Sequence, residues 1–336
     1  MTRYFAGLLL LLPLLMLSAC ETPEQEPESL ALYSGRSKAL VEPLIDRFEA
    51  ATGISVEVRY GDTAQLAVAL TEEGDQTGAD LFWAQDGGAL GAVQAAGLLA
   101  PLPDSLTGRV DARYRNAAGT WIATSGRART LAYAPGRVDT TALPQSLFDL
   151  TDPQYEGRVG WAPTNGSFQA HVTALRRLVG DDSTRAWLDA MQANGAVAYS
   201  NNRAILDGIA AGEVDLGLPN HYYLYGKKAD DPSYPVEQTF FAAGDPGNLV
   251  NVAGVGVLAG SANQDAALRF VAYLLSDDAQ RYFADETYEY PVVQGVTPNA
   301  RLAGREQLTA LQPTVDLEEL RDLEATLNLL REAGLL

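Results

Sequence analysis

The chain has 336 residues and a net charge of −19, with 43 Asp and Glu against 24 Lys and Arg. That excess of acid argues against nucleic acid or an anionic membrane face as the principal partner. A chain that is 47% hydrophobic can bury a sizeable core, and its single cysteine excludes an intramolecular disulfide.

The first elements read as processing signals. Arg3 gives a positive start, Leu8 to Leu17 is an apolar run broken only by Pro13, and Leu17-Ser18-Ala19-Cys20 follows. The run is too short for a comfortable membrane span, and small residues precede the cysteine. Residues 1–19 therefore read as a lipoprotein signal peptide and Cys20 as an acylated N-terminus that anchors the protein to a membrane. Residues 20–29 form an acidic, Pro-containing tether with nothing to bury.

From Leu30 onward, strands alternate with helices. Leu30 to Ser34 predicts a strand ending at Gly35. Leu40, Val41, Leu44, Ile45 and Phe48 form the stripe of a helix over 39–52, closed by Gly53. Strands follow over 54–60 and 79–84, with helices over 63–73 and 88–96. In the second half, Gly160-Trp161 leads through Pro163 to Ser167 into a helix over 168–179. A strand over 196–199 precedes Asn201-Asn202, natural caps for a helix over 203–211. Strands over 214–218 and 252–258, helices over 265–275 and 279–283, and one amphipathic helix over 317–333 complete the reading. This alternation implies an α/β fold built on a mostly parallel sheet covered on both faces. No P-loop, dinucleotide fingerprint, hydrolase motif or Ser/His/Asp ordering is present, so the expectation is a binding protein rather than an enzyme.

The residues that carry chemistry centre on Tyr222 and Tyr223, within Leu218-Pro-Asn-His-Tyr-Tyr-Leu-Tyr225. Phenolate is a hard anionic donor, and a hard, highly charged metal such as Fe(III) removes its proton far below the free pKa of about 10. Neighbours on a strand point to opposite faces, so the pair must sit just past the strand, where Pro219-Asn220 breaks the extended run. Tyrosine is also a common packing residue, and the pair alone leaves that role open. Tyr225 reads as packing or rim, and His221 as a loop hydrogen-bonder. With histidines only at 171 and 221, a His-rich zinc or copper site is not expected. Thr164, Asn165, Gly166 and Ser167 precede a helix, so free backbone N–H groups and the positive helix end suit an anion, a plain N-cap being the alternative. Asn202 opens a second helix and Asn220 lies beside the tyrosines. Arg127 or Arg129 can fork onto an anion or form a structural ion pair.

An ordered series of segments resembles the bacterial ferric-ion-binding proteins, the periplasmic solute receptors of iron ABC importers. The series comprises Leu32-Tyr-Ser-Gly-Arg36, Ala79-Asp-Leu-Phe-Trp83, Ser125-Gly-Arg-Ala-Arg129, Pro163 to Phe168, Asn220-His-Tyr-Tyr223, Asp245-Pro-Gly247 and Glu289-Tyr-Pro291. The resemblance covers nearly all of the chain after the tether. It implies a two-lobed periplasmic-binding-protein fold, type II-like, with hinge strands. The first lobe would take residues 30–128 plus about 252–300, the second 129–251 plus about 301–336. It also implies Tyr222 and Tyr223 as ligands to transported Fe(III), a synergistic carbonate or phosphate, an ABC permease in the inner membrane as partner, a periplasmic or cell-surface location and a monomer.

One version of the family carries a His after the opening strand and a Glu after the third. Ser37 and Gln85 stand at those places, and both are poor Fe(III) ligands because they are neutral. Coordination dominated by tyrosine and completed by anion or water is favoured over recruitment of Asp86 or Tyr60, or over a change of ligand. The competing function is a receptor for a small anion or organic solute, such as a phosphonate or a thiamine-like molecule, held without metal by Arg127, the 164–167 turn and Asn202.

Overall fold

Ten strands organise the computed structural model, which describes residues 28–336: β1 (Ser29–Ser34), β2 (Ser55–Tyr60), β3 (Leu81–Ala84), β4 (Trp121–Ala128), β5 (Leu131–Tyr133), β6 (Val159–Trp161), β7 (Val197–Ala198), β8 (Leu216–Gly217), β9 (Glu237–Thr239) and β10 (Val250–Val257). The leader, Cys20 and the tether up to residue 27 lie outside the described residues.

The strands form two five-stranded sheets, ordered β2-β1-β3-β10-β4 and β7-β6-β8-β5-β9. In the first, β1 runs parallel to β2 and β3, while β10 is antiparallel to both β3 and β4. In the second, β6 is parallel to β7 and β8, and β5 is antiparallel to β8 and β9. The expected mostly parallel sheet is thus corrected to two mixed ones. The reason is connectivity: β4 passes almost directly into β5, and the chain returns from β9 to β10, so these strands link the sheets instead of ending in helical crossovers. Each sheet carries its own core. Phe48 meets Phe270 edge-on at 5.0 Å in the first, and Trp161 packs against Phe168 and Trp187 at 5.6 and 6.0 Å in the second.

The helices follow their stripes closely. Val41, Leu44, Ile45 and Phe48 of Lys38–Thr52 are buried, and that helix ends on Gly53 at φ 74°, a left-handed turn that suits glycine. Several stretches depart from the sequence reading. Trp121–Ala128 is a fully buried strand, and Asp181–Ala193 is a helix that the reading passed over. The tail is not one helix. A 3₁₀ turn at Leu317–Arg321 gives way at Asp322 to a separate helix, Leu323–Glu332. Leu317 and Leu320 bury in the first core, whereas Leu329 and Leu330 bury in the second. At the break, Asp322 pairs with Arg176 and Arg177 at 3.2 and 3.0 Å.

Candidate metal centre

The tyrosine pair is positioned by a helix rather than by a bare turn. After β8, the Pro219 carbonyl accepts the Thr130 N–H at 3.1 Å, and the helix His221–Asp230 begins with Asn220 as its cap residue. Tyr222 and Tyr223 therefore occupy the first helical turn, where successive side chains diverge by about 100° instead of facing opposite ways. Their ring centroids lie 4.2 Å apart, with 31° between the planes. Tyr222 is buried, and its hydroxyl has no protein partner. Tyr223 is half-buried, lines the cavity described below, and has the Arg203 guanidinium 5.8 Å from its ring. Burial first, then Tyr223 and Glu289, push the Tyr222 phenol well above its ordinary pKa, against the opposing pull of Arg127 and Arg36.

Three helix N-termini meet beside the pair. Asn165 caps Gly166–Val179, and its Oδ1 accepts from the Ser167 N–H at 3.2 Å and from Asn202 Nδ2 at 3.1 Å. Asn202 opens the helix Asn202–Ala211, and its Oδ1 accepts the Asn220 N–H at 3.1 Å. Asn220 leads the tyrosine helix and keeps Nδ2 buried without a partner. Short polar side chains thus stitch the three helix starts together, and the positive ends of their dipoles share one region. Of the residues expected to hold an anion, Asn165, Gly166 and Ser167 line the cavity, while Thr164 faces a neighbouring groove.

Two buried arginines face the same region and have different duties. Arg129 is occupied: its guanidinium reaches Asn202 Oδ1 at 3.3 Å, Ser167 Oγ and Asn220 Oδ1 at 3.5 Å, and the Leu218 carbonyl. Burial and the charge of Arg127 lower its pKa to about 9. Arg127 has both terminal nitrogens buried and unpartnered, and burial lowers its pKa as well. Neither arginine forms an ion pair among the described residues. Buried charge without a counter-charge is costly, so this arrangement would gain from a negative charge brought beside it.

Across the cavity, which measures about 270 Å³, lie Ser37, Gln85 and Asp86 from the first lobe, together with Tyr60 and Asp62. Asp86 serves as the cap of the Gly87–Ala95 helix, accepting the Ala89 N–H at 2.9 Å, and burial raises its pKa. Asp62 caps Thr63–Glu73 in the same way. No three His, Cys, Asp or Glu side chains gather to hold one ion among the described residues.

The remaining donors considered from the sequence have other employment. The His221 ring is fully engaged, with Nε2 at 2.8 Å from the Tyr288 carbonyl and Nδ1 accepting the Ala128 N–H at 3.1 Å. Tyr225 donates to the Arg301 carbonyl at 2.8 Å. His171 holds the Pro246 carbonyl at 2.9 Å and is kept neutral by burial, its pKa lowered to about 3. The sequence reading missed Arg36 and Glu289, a doubly hydrogen-bonded pair at 2.9 and 2.6 Å buried behind the tyrosines. Both residues fall inside the segments that carry the resemblance, and that was the only signal for them.

Residues 43–310 match the family described as bacterial extracellular solute-binding protein. The Fe(3+)-binding periplasmic protein of Serratia marcescens is 34% identical over 92% of this chain and 91% of its own length. The major ferric iron-binding protein of Neisseria meningitidis serogroup B is 32% identical over 91% of this chain and 93% of its own. Among solved structures, iron-bound HitA from Pseudomonas aeruginosa superposes with a TM-score of 0.87 at 34% identity, covering 92% of this chain and all of that one. With two sheets and likeness along nearly all of its described length, the chain belongs to the bacterial extracellular solute-binding protein family, among the relatives named for ferric iron.

Proposed function

We propose that this protein is an extracytoplasmic receptor that captures Fe(III) between its lobes and delivers it to an ABC permease. Tyr222 and Tyr223 are the protein's ligands, and a small anion such as carbonate or phosphate completes the coordination. The observation that carries the reading is the close tyrosine pair, with the buried Tyr222 hydroxyl lacking a partner beside an Arg127 whose two terminal nitrogens also lack one. Phenolate and anion charge would compensate Arg127 and Arg129, and the three helix starts with Asn220 would hold the anion. Ser37, Gln85 and Asp86 border the ligand from the first lobe without supplying a strong iron donor. Cys20, acylated, would tether the monomeric receptor at the membrane.

The test is direct. Mature protein mixed with ferric citrate is expected to develop a visible phenolate-to-iron charge-transfer band. Tyr222→Phe and Tyr223→Phe are each expected to weaken binding by roughly 100-fold or more, beyond the loss usual for an outer-shell partner. If no band appears and no iron-dependent rise in melting temperature occurs, the reading is wrong. Melting shifts with phosphonates or thiamine would then support the metal-free anion or organic-solute receptor, which the Arg127 guanidinium and the helix starts also suit.

A further inference from the structure

His221 immediately precedes the tyrosine pair and packs edge-on against Tyr222 at 5.8 Å, while its ring hydrogen bonds run to the rest of the molecule. The ring is buried at 1% exposure and lies 4.8 Å from the Tyr290 ring. A carbonyl can only accept, so the 2.8 Å contact to the Tyr288 oxygen places the proton on Nε2. Nδ1 lies 3.1 Å from the Ala128 nitrogen and 3.3 Å from the Ala128 carbonyl; with the proton on Nε2, whose carbonyl contact is the shorter, Nδ1 accepts the Ala128 N–H. Ala128 is the last residue of β4, where the chain crosses from the first sheet to the second.

The Tyr288 carbonyl belongs to the first lobe. Its neighbour Glu289 donates its N–H to Phe283 at 2.7 Å and forms the buried pair with Arg36. Tyr290 exchanges backbone hydrogen bonds with Gly126 of β4, both at 2.8 Å. Tyr288 itself has φ 56°, the only non-glycine residue with positive φ among the described residues. A tyrosine adopts that backbone only where its surroundings impose it. Here the left-handed turn presents the carbonyl to the imidazole. One ring therefore links the helix that carries the pair to the crossing strand through Nδ1, and to the first lobe through Nε2.

We propose that His221 is a positioning residue: its Nε2–H bond to the Tyr288 carbonyl fixes Tyr222 and Tyr223 relative to the first lobe and thereby slows ligand release. This rests on the iron reading above. The two ring contacts can be separated by substitution. Asparagine places an oxygen near the Nδ1 position and keeps an acceptor for Ala128. Glutamine places an amide N–H near the Nε2 position and keeps a donor for Tyr288.

The experiment loads wild-type, His221→Asn and His221→Gln proteins with Fe(III) and follows release to excess EDTA through the charge-transfer band. His221→Gln is expected to release iron within about twofold of wild type. His221→Asn is expected to release it about tenfold faster, the factor that corresponds to losing one neutral hydrogen bond, with the band maximum unchanged because both phenols remain. Melting of the three iron-free proteins separates positioning from general stability, since the two variants are expected to melt together. Equal release rates for the two variants, or wild-type release from His221→Asn, would overturn the proposal. If wild type takes up no iron, the iron reading itself has failed. The link is then judged by small-angle scattering of the proteins alone. A larger radius of gyration for His221→Asn than for His221→Gln supports it, and equal radii overturn it.

Discussion

Arg36 and Glu289 show what a buried charge needs. Both side chains are fully buried, and two parallel hydrogen bonds join them. Burial pulls the guanidinium pKa down, but the Glu289 carboxylate more than compensates and holds it above the ordinary value. Glu289→Gln would keep the shape and remove the counter-charge. It is expected to destabilise the iron-free protein by about 3 kcal/mol in denaturant unfolding, as when one member of a buried ion pair is removed. Arg127, whose charge Arg36 opposes, has no carboxylate hydrogen-bonded to its two terminal nitrogens.

Among the elements, those legible in the sequence were the ones whose own periodicity decides them. The Thr63–Glu73 helix and the β1 strand carry clear stripes and clear stops, and the reading placed them well. The His221–Asp230 helix was missed because His-Tyr-Tyr-Leu-Tyr-Gly is poor in helix formers; it is held by β4, β9 and the Tyr288 carbonyl, none of which is local. The pair was legible as chemistry even though its element was not. Nothing local links Arg36 to Glu289, which lie 253 positions apart, and nothing local shows that Arg129 is spent on Asn202 and Leu218 while Arg127 is free of protein partners. The tail read as one helix because its stripe continues through Asp322, although its two halves serve different cores. Gly88 belongs to this junction: a Cβ there would stand 2.3 Å from the Leu320 carbonyl oxygen. Gly88→Ala is therefore expected to destabilise the fold by about 1–3 kcal/mol, measured by denaturant unfolding, because a backbone atom cannot turn aside as a side chain would.

For the whole molecule, the cleft joins a proton equilibrium to its cargo. Burial raises the Tyr222 phenol well above its ordinary pKa, so it holds its proton at neutral pH. With Tyr222 as the proposed ligand, iron has to displace that proton, and acid then favours the protonated, iron-free form. Affinity for Fe(III) is expected to fall about tenfold per pH unit for each proton displaced, and titrating the charge-transfer band downward from neutral pH checks the sign. A band that persists unchanged into strong acid would exclude phenolate ligands. The tail adds a constraint on how far the lobes can part. Two crossings, at β4–β5 and β9–β10, would by themselves allow a simple swing. The third passes through Asp322, with Leu317 and Leu320 seated in one core and Leu329 and Leu330 in the other. Opening beyond the slack of that single joint must draw leucines out of a core into water, at about 2 kcal/mol for each side chain. The C-terminal segment thus acts as a check-strap, limiting the amplitude of the gape rather than its direction.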